Sequence, residues 1–323
     1  MRSIRGEHLS LSIIVPNYNG EHLIPKFMPS VLRAANNYPG EKEIIVVDDA
    51  SHDNSIEELR KFTELRIIPR KENGGFSSAC NTGISEARYD ILFFLNTDVE
   101  LQSDFFNYFS AHFKDSDLFA VTVYATYFRS NTRLDGGVIG QWKRGNLKLT
   151  KSYYTSDHPH LKPPYLSFCV KGAYFFSDAK KVRELKGFDE LFNPYVWEEM
   201  DLAYRALKRG WKIHYEPKCI ARHDQSVTLR ATDSRKRIKI ISNRNRFIFM
   251  WKNIHSTRLL ISHFFFTIGR IMLLSPTTLA GLVGAIKLLP KILERRSFEK
   301  RNSIKSDSEL LNEFNQYFIR QEK

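Results

Sequence analysis

The sequence predicts an α/β fold: a mainly parallel sheet flanked by helices, with a helical, basic and apolar appendage at its C-terminal end. Three observations predict it. Short apolar runs alternate with stretches of helical spacing through the first third of the chain. Polar residues (Asn17, Asp48, Asp49, Asn73 and Asp98) recur where those runs stop. The charge is uneven: Asp224 to Lys323 carry 19 Lys/Arg against 8 Asp/Glu, while the remainder carries 30 against 28.

Taken in order, Leu11 to Val15 form an apolar run ended by Pro16-Asn17-Tyr18-Asn19-Gly20, which reads as a buried strand and a loop. Residues 22 to 36 have the spacing of a helix. Glu43 to Val47 are the next strand, with Asp48-Asp49 at its end, and Ser51 to Arg60 read as a capped helix start. Leu65 to Ile68 give a third strand, Ser77 to Ala87 a helix, and Ile91 to Leu95 a fourth strand. Strands alternating with helices imply parallel pairing, and the carboxyl ends of such strands face one crevice. Farther on, Ala120 to Phe128 and Val170 to Ser177 read as β segments. The polar, aromatic stretch between them reads as an insertion or acceptor-side loop. A helix through Arg205 to Arg209 is stopped by Gly210, and Trp211 to Tyr215 form a strand that Pro217 closes.

The tail, expected from about Asn243, contains the apolar stretches Leu259 to Phe266 and Ile271 to Ile286. The longer is short of the roughly 20 residues a spanning helix needs. Arg258, Arg270, Lys287, Lys291, Arg295 and Arg296 flank them. Apolar helices with cationic flanks suit an anionic membrane surface, and they also suit packing on the first domain or a partner. Nucleic acid is disfavoured by so apolar a tail. After Ser297 a loose or partly disordered segment is expected. The chain therefore divides into residues 1–228 and 229–323.

Several classes are excluded or weakened. Cys80, Cys169 and Cys219 are widely spaced and form no CxxC, which argues against a disulfide framework or a structural zinc site. The N-terminal residues carry no apolar signal-peptide core. Neither GxGxxG nor GxxxxGK[ST] occurs, which weakens a dehydrogenase or P-loop reading.

The candidate chemical residues each admit two readings. Asn96-Thr97-Asp98 ends the strand "FFL" either as a turn or as a metal ligand set, since Asp98 offers a hard oxygen for Mg²⁺ or Mn²⁺. Asp48-Asp49 are a capped turn or an acceptor for a base N–H. Tyr18 packs, or stacks on a pyrimidine. Asn73-Gly74-Gly75 allow close approach of backbone to ligand, and Asn81 is a cap or a donor contact. Glu198-Glu199 begin a helix, where carboxylates are favoured anyway, or supply a general base. Trp197 can stack on a sugar ring, Asp201 can pair with Arg205, and His223 alone would read as structural.

In order, "SIIVPNYNG", "EIIVVDDASHDNS", "ENGGFSSACNTGI" and "FFLNTDVEL" resemble the family 2 glycosyltransferases of the GT-A type. "KGAYFFSDAKKVRELKGFDELF", "WEEMDLAYRALKRGWKIHYEP" and "RHDQS" are similar to the bacterial rhamnosyltransferase-like branch. The likeness covers roughly residues 10 to 228. It implies donor contacts from Pro16, Tyr18, Asp48, Asp49, Asn73, Gly74, Gly75, Asn81, Asn96 and Thr97. It implies a divalent metal, Mn²⁺ or Mg²⁺, on Asp98 and His223, a base at Glu199 beside Glu198, and acceptor contacts from Trp197 and Asp201.

Two positions depart from the family pattern. Asn96 stands where a carboxylate is frequent, and Glu199 where Asp is usual. The implied activity is inverting transfer from a uridine- or thymidine-diphosphate sugar to a glycan or polyprenyl-linked acceptor in surface polysaccharide synthesis. The implied place is the cytoplasmic face of the cell membrane. The alternatives are a non-catalytic scaffold on the same fold and, less favoured, a sugar-phosphate nucleotidyltransferase.

Overall fold

Apolar runs this continuous must be covered on both faces, and the strands are. The computed structural model describes residues 8–128, 130–153, 162–224, 233–272 and 275–320. Its parallel core is β1 (Leu11–Asn17), β2 (Lys42–Asp48), β3 (Leu65–Pro69) and β4 (Ile91–Leu95). Every residue of β4 is buried. Between these strands run α1 (Ile24–Asn37), the short α2 (Ser55–Leu59) and α3 (Phe76–Glu86). On α1, Ile24, Phe27, Met28, Val31 and Ala35 recur at helical spacing and face the sheet.

After β5 (Val99–Leu101) come β6 (Leu118–Tyr127) and β7 (Ser130–Asp135), then a separate hairpin of β8 (Gly137–Lys143) and β9 (Asn146–Tyr153). The chain continues through β10 (Tyr165–Leu166), β11 (Tyr174–Asp178), α4 (Ala179–Glu184), α5 (Glu198–Lys208) and β12 (Lys212–His223). The sheet order is β10-β12-β6-β11-β4-β1-β2-β3, with β5 on β12 and β7 on β6. β11 runs antiparallel between β4 and β6. The chain leaves β1 toward β2 and β3, then returns to β4 on the other side of β1. The carboxyl ends of β1 and β4 therefore border the switch point where open α/β sheets bind ligands.

The C-terminal part is helical: α6 (Arg235–Asn253), α7 (Thr257–Met272), α8 (Pro276–Lys287), α9 (Leu289–Asn302) and α10 (Asp307–Arg320). Phe247 to Met250 of α6, Ile292 of α9, and Leu310 and Phe314 of α10 share one buried cluster with α3, β4 and α5. At Gly281 a Cβ would come 2.7 Å from Asn243 Cβ and 2.8 Å from Arg244 N, so α8 lies directly on α6. The expected boundary between 228 and 229 falls outside the described residues, as do the N-terminal residues 1–7.

Four expectations are corrected. Pro217 does not close a strand: β12 runs on to His223, and the register shift between Glu216 and Ile220 absorbs the proline as an irregularity. The middle stretch read as a loop contains β7 to β9. The tail helix begins at Arg235, ahead of Asn243. The segment after Ser297 is not loose, because α9 continues to Asn302 and α10 follows. There Asp307, 1% exposed, accepts from Tyr204 Oη, Lys208 Nζ and the backbone N–H groups of His255 and Ser256.

A buried ion network joins α6 to the sheet domain. Lys252 Nζ lies 2.5 Å from Asp189 and 2.7 Å from Asp201. Arg205 closes the other side of Asp201 at 2.7 Å. Burial by itself would raise the pKa of Asp189, but the Lys252 ammonium and its hydrogen bond outweigh it and hold the carboxyl at about 2. Lys252→Met leaves both carboxylates short of a partner. Urea unfolding should show a loss of about 3–5 kcal/mol, the usual cost of breaking a buried pair from one side.

Candidate active site

The crevice at the carboxyl edge of β1 and β4 holds a cleft of about 780 Å³, built in two halves. In the first, β1 ends at Asn17, whose Nδ2 donates to Asp48 Oδ1 at 2.7 Å. Asp48 also accepts from the Ser51 backbone N–H and hydroxyl, so it fixes the turn after β2 and does not line the cleft. Asp49 does line it. Its carboxylate accepts from Arg70 and from the N–H groups of Gly74 (3.1 Å) and Gly75 (2.8 Å). Asn73 Oδ1 accepts from Gly75 N–H as well. Gly75 has φ +85, and a Cβ there would sit 3.0 Å from Pro194 Cα. Glycine is thus needed twice over at this turn. Of the residues expected to contact a donor, Pro16, Tyr18, Asn73, Gly75, Asn96 and Thr97 line the cleft beside Asp49, while Gly74 is not among its wall residues.

Asn81 does not. Its amide donates to Phe188 O at 2.9 Å and to Glu190, and its Oδ1 accepts from Phe188 N–H. It pins α3 to the loop after α4, away from the cleft.

The second half brings Asp98 and His223 together from distant sequence. Pairing of β5 with β12 sets His223 opposite Val99, and Asp224 N–H donates to Asp98 O at 2.9 Å. His223 Nε2 then lies 3.2 Å from Asp98 Oδ1. Both side chains are buried, yet Asp98 Oδ1 and both imidazole nitrogens lack a hydrogen-bond partner among the described residues. Buried polar atoms normally have partners, so such a cluster calls for one. The donor set, a carboxylate and an imidazole, fits a divalent cation and suits Mn²⁺ somewhat better than Mg²⁺. Among the described residues no group of three or more His, Cys, Asp or Glu is placed to hold a metal. Two protein ligands are consistent with an ion that takes the rest of its shell from substrate phosphates and water.

Glu198 and Glu199 open α5 and line the same cleft. The backbone reaches them through Val196 (φ 66) and Trp197 (φ 80), both in the left-handed region that side chains rarely adopt. One oxygen of each glutamate has no hydrogen-bond partner. Burial, and next the charge of Glu199, push the Glu198 carboxyl well above the usual range. Burial also raises Glu199, opposed by its own backbone N–H and by the Lys171 ammonium. Perturbed carboxyl groups facing a cleft mark a functional site.

Two sequence expectations move off the cleft wall. Trp197 packs with Phe249 of α6 at a ring separation of 5.5 Å. Asp201 has no exposure, because Arg205, Lys252 and Asn253 take its carboxylate. Neither side chain lines the cleft.

Sequence reading missed other wall residues. Asp135 accepts from Tyr127 Oη and Tyr174 Oη, each at 2.6 Å, and pairs with Lys171 at 3.0 Å. Tyr195, Asp233 and Arg237 close the far end of the cleft. Lys171-Gly172, just ahead of a strand, carried a local signal of the kind seen at the other strand ends. Asp135 carried none.

The glycosyl transferase family 2 model matches residues 12–173, half of the chain. The chain belongs to that family. The family-2 chain is 32% identical over 235 residues to the poly-beta-1,6-N-acetyl-D-glucosamine synthase of Staphylococcus epidermidis, covering 67% of this chain and 51% of that protein. It spans about a quarter to a half of the length of the first curated relatives it matches. Among solved structures it resembles GalNAc-T7 with UDP, GalNAc and Mn²⁺: TM-score 0.57, 17% identity, 76% of this chain and 48% of the other. It also resembles S. aureus TarS 1-349 in complex with UDP-GlcNAc: TM-score 0.54, 14% identity, 98% and 93% covered. These likenesses establish a GT-A fold for the family-2 chain.

If Asp98 and His223 form a cation site, His223→Ala should weaken Mn²⁺ binding in the presence of UDP by at least ~10-fold, the lower end of what even indirect ligand changes cost. Manganese paramagnetic resonance measures it. Equal affinity in His223→Ala and wild type would remove the site.

Proposed function

We propose that this chain is an inverting glycosyltransferase that moves a sugar from a uridine- or thymidine-diphosphate donor to a glycan or polyprenyl-linked acceptor. One observation above all supports it. Asp98, His223, Glu198 and Glu199 hold buried polar atoms without partners among the described residues, and all four side chains line the cleft shared with Asp49, Asn73 and Gly75. A nucleotide-sugar joins those two halves. The relatives agree in kind: the GalNAc-T7 neighbour holds UDP and Mn²⁺, and the staphylococcal relative is named as a polysaccharide synthase.

In this reading Tyr18 stacks on the base and Asp49 takes its ring N–H, with the Asn73–Gly75 loop closing over the nucleotide. Asp98 and His223 would hold the cation, with Asn96 and Thr97 alongside. When bound, it neutralises diphosphate charge and steadies the leaving nucleotide. Glu199 takes the proton from an acceptor hydroxyl as that oxygen attacks the anomeric carbon. The C–O bond to the diphosphate breaks on the opposite face, so the configuration inverts. Glu198, held protonated by burial and its neighbour, leaves a single negative charge in the pair.

A panel of uridine-, thymidine- and guanosine-diphosphate sugars, deoxyhexoses included, tests this through release of nucleoside diphosphate with Mn²⁺. One donor should turn over, with activity lost in Asp98→Ala and reduced about 10²- to 10⁴-fold in Glu199→Gln, the usual worth of general base catalysis. A base works ionised, so kcat/KM should fall as pH drops through the raised pKa of Glu199, above the ordinary value of about 4.3. Lys171→Met should move that limb to higher pH, because the ammonium favours the carboxylate. Neither turnover nor Mn²⁺-dependent donor binding across the panel would favour a non-catalytic scaffold.

The reading places the protein on the cytoplasmic face of an anionic membrane. No single helix among the described residues is long and apolar enough to cross a bilayer. On α7, Ile261, Phe264, Phe265, Ile268 and Met272 lie exposed at helical spacing, joined by Val283 and Ile286 of α8 and Leu293 of α9. Arg258, Lys287, Lys291 and Arg295 flank them. The Phe264→Ser, Phe265→Ser double variant should bind phosphatidylglycerol vesicles at least ~10-fold more weakly, since each buried Phe is worth about 1.5–3 kcal/mol. Wild-type co-sedimentation no better with phosphatidylglycerol than with phosphatidylcholine would sink the proposal.

A further inference from the structure

The acid pair is held from outside its own domain half. The loop ahead of it, residues 192 to 197, turns through two consecutive left-handed residues, Val196 and Trp197. Its carbonyl groups therefore cannot all join a helix or a strand ladder, and buried carbonyls need donors. Asn245, on α6 and without exposure, supplies them. Its amide nitrogen lies within hydrogen-bond distance of Phe192 O (2.6 Å), Val196 O (2.8 Å) and Tyr195 O (3.0 Å), so its two N–H donors are shared among three carbonyls. Its Oδ1 accepts from Arg244 Nε at 2.9 Å, and Arg244 Nη2 reaches Asn193 O. Each residue of the loop from Phe192 to Val196, except Pro194, thus has its carbonyl tied to this helix.

The remaining carbonyl points the other way. Pro194 O accepts from Phe76 N–H at 3.2 Å, and Asn193 Oδ1 accepts from Ser77 N–H. The loop therefore caps α3, immediately after the Asn73–Gly75 turn that faces the donor. Glu198 and Glu199 follow it without a break. One side chain on α6 fixes the backbone that sets the aim of the carboxyl groups.

We infer that Asn245 is a positioning residue for the Glu198–Glu199 pair, holding the loop in its left-handed path through three carbonyls. Its catalytic meaning depends on Glu199 being the base. An aliphatic residue could fill the same volume, yet it would leave three carbonyls without donors and would let the loop relax.

The test compares wild type with Asn245→Ala and with the isosteric Asn245→Asp, whose carboxylate cannot donate. With the donor that turns over, kcat should fall about 10²-fold, the usual cost of an ångström-scale misplacement. The donor KM should stay within roughly threefold, because Tyr18 and Asp49 are untouched. Amide exchange at Tyr195 to Trp197 should accelerate while exchange in β1 and β4 stays as in wild type. In the Asn245→Asp background, Val196→Gly, which removes the cost of positive φ, should recover part of kcat.

Unchanged kcat with unchanged exchange overturns the assignment, and so does a uniform loss of protection through the sheet, which marks a purely structural residue. If Asn245→Ala does not fold, Asn245→Asp carries the comparison. If wild type turns over no donor, it is the transferase reading that fails. The clamp is then judged on exchange alone, and wild-type protection at Tyr195 to Trp197 in Asn245→Asp refutes it.

Discussion

A buried lysine sets the register on which the site depends. Lys252 is 1% exposed and its ammonium is shared by Asp189 and Asp201. A charge that deep is tolerable only in one arrangement, because any slip of α6 would strand it among apolar side chains. Asn245 lies seven residues earlier, on the same face of the helix. Once the ammonium is seated, Asn245 faces the loop before the glutamates. Asp201 is thus an anchor for the site, although it touches nothing in the cleft.

The protein treats its buried carboxylates in two ways. Asp201, Asp307 and Glu299 are paired with Arg or Lys inside the fold. Asp98, Glu198 and Glu199 keep oxygens that no described residue satisfies. Local rules of stability would have removed that second set. The left-handed pair at Val196 and Trp197 is a further local cost, and it sits beside the same glutamates. Strain and unmet polarity gathered at one place are what a preformed site requires, at the expense of stability that the paired carboxylates and the aromatic core provide elsewhere.

Much of this was legible in the sequence. Strand ends followed by polar residues located the cleft, because a parallel sheet must present its carboxyl ends together. What could not be read was which polar residue at an end faces the cleft and which faces the chain. Asp48 and Asp49 are neighbours, yet one holds a turn and the other lines the wall. Asn81 and Asp201 carried the right letters but spend their side chains on hydrogen bonds and ion pairs within the fold, and Trp197 spends its ring on packing. Asp135 and Arg70 were invisible because their partners are distant in sequence. The packing of the tail stayed open for a similar reason: apolar stretches with cationic flanks suit a membrane or a protein surface, and nothing local tells that the core of the sheet domain covers α6.

The close seat of α8 on α6 has a consequence for modularity. Gly281 rests against Asn243 and Arg244, the residues next to the loop clamp, and the outward side of α8 presents Val283 and Ile286. The apolar outer surface of α8 and the loop ahead of Glu198 are therefore joined through α6. Such a segment cannot be exchanged between relatives as an independent module. A chimera that borrows another chain's apolar helices would also import a different support for the glutamates, so the outer surface and the cleft wall would change together.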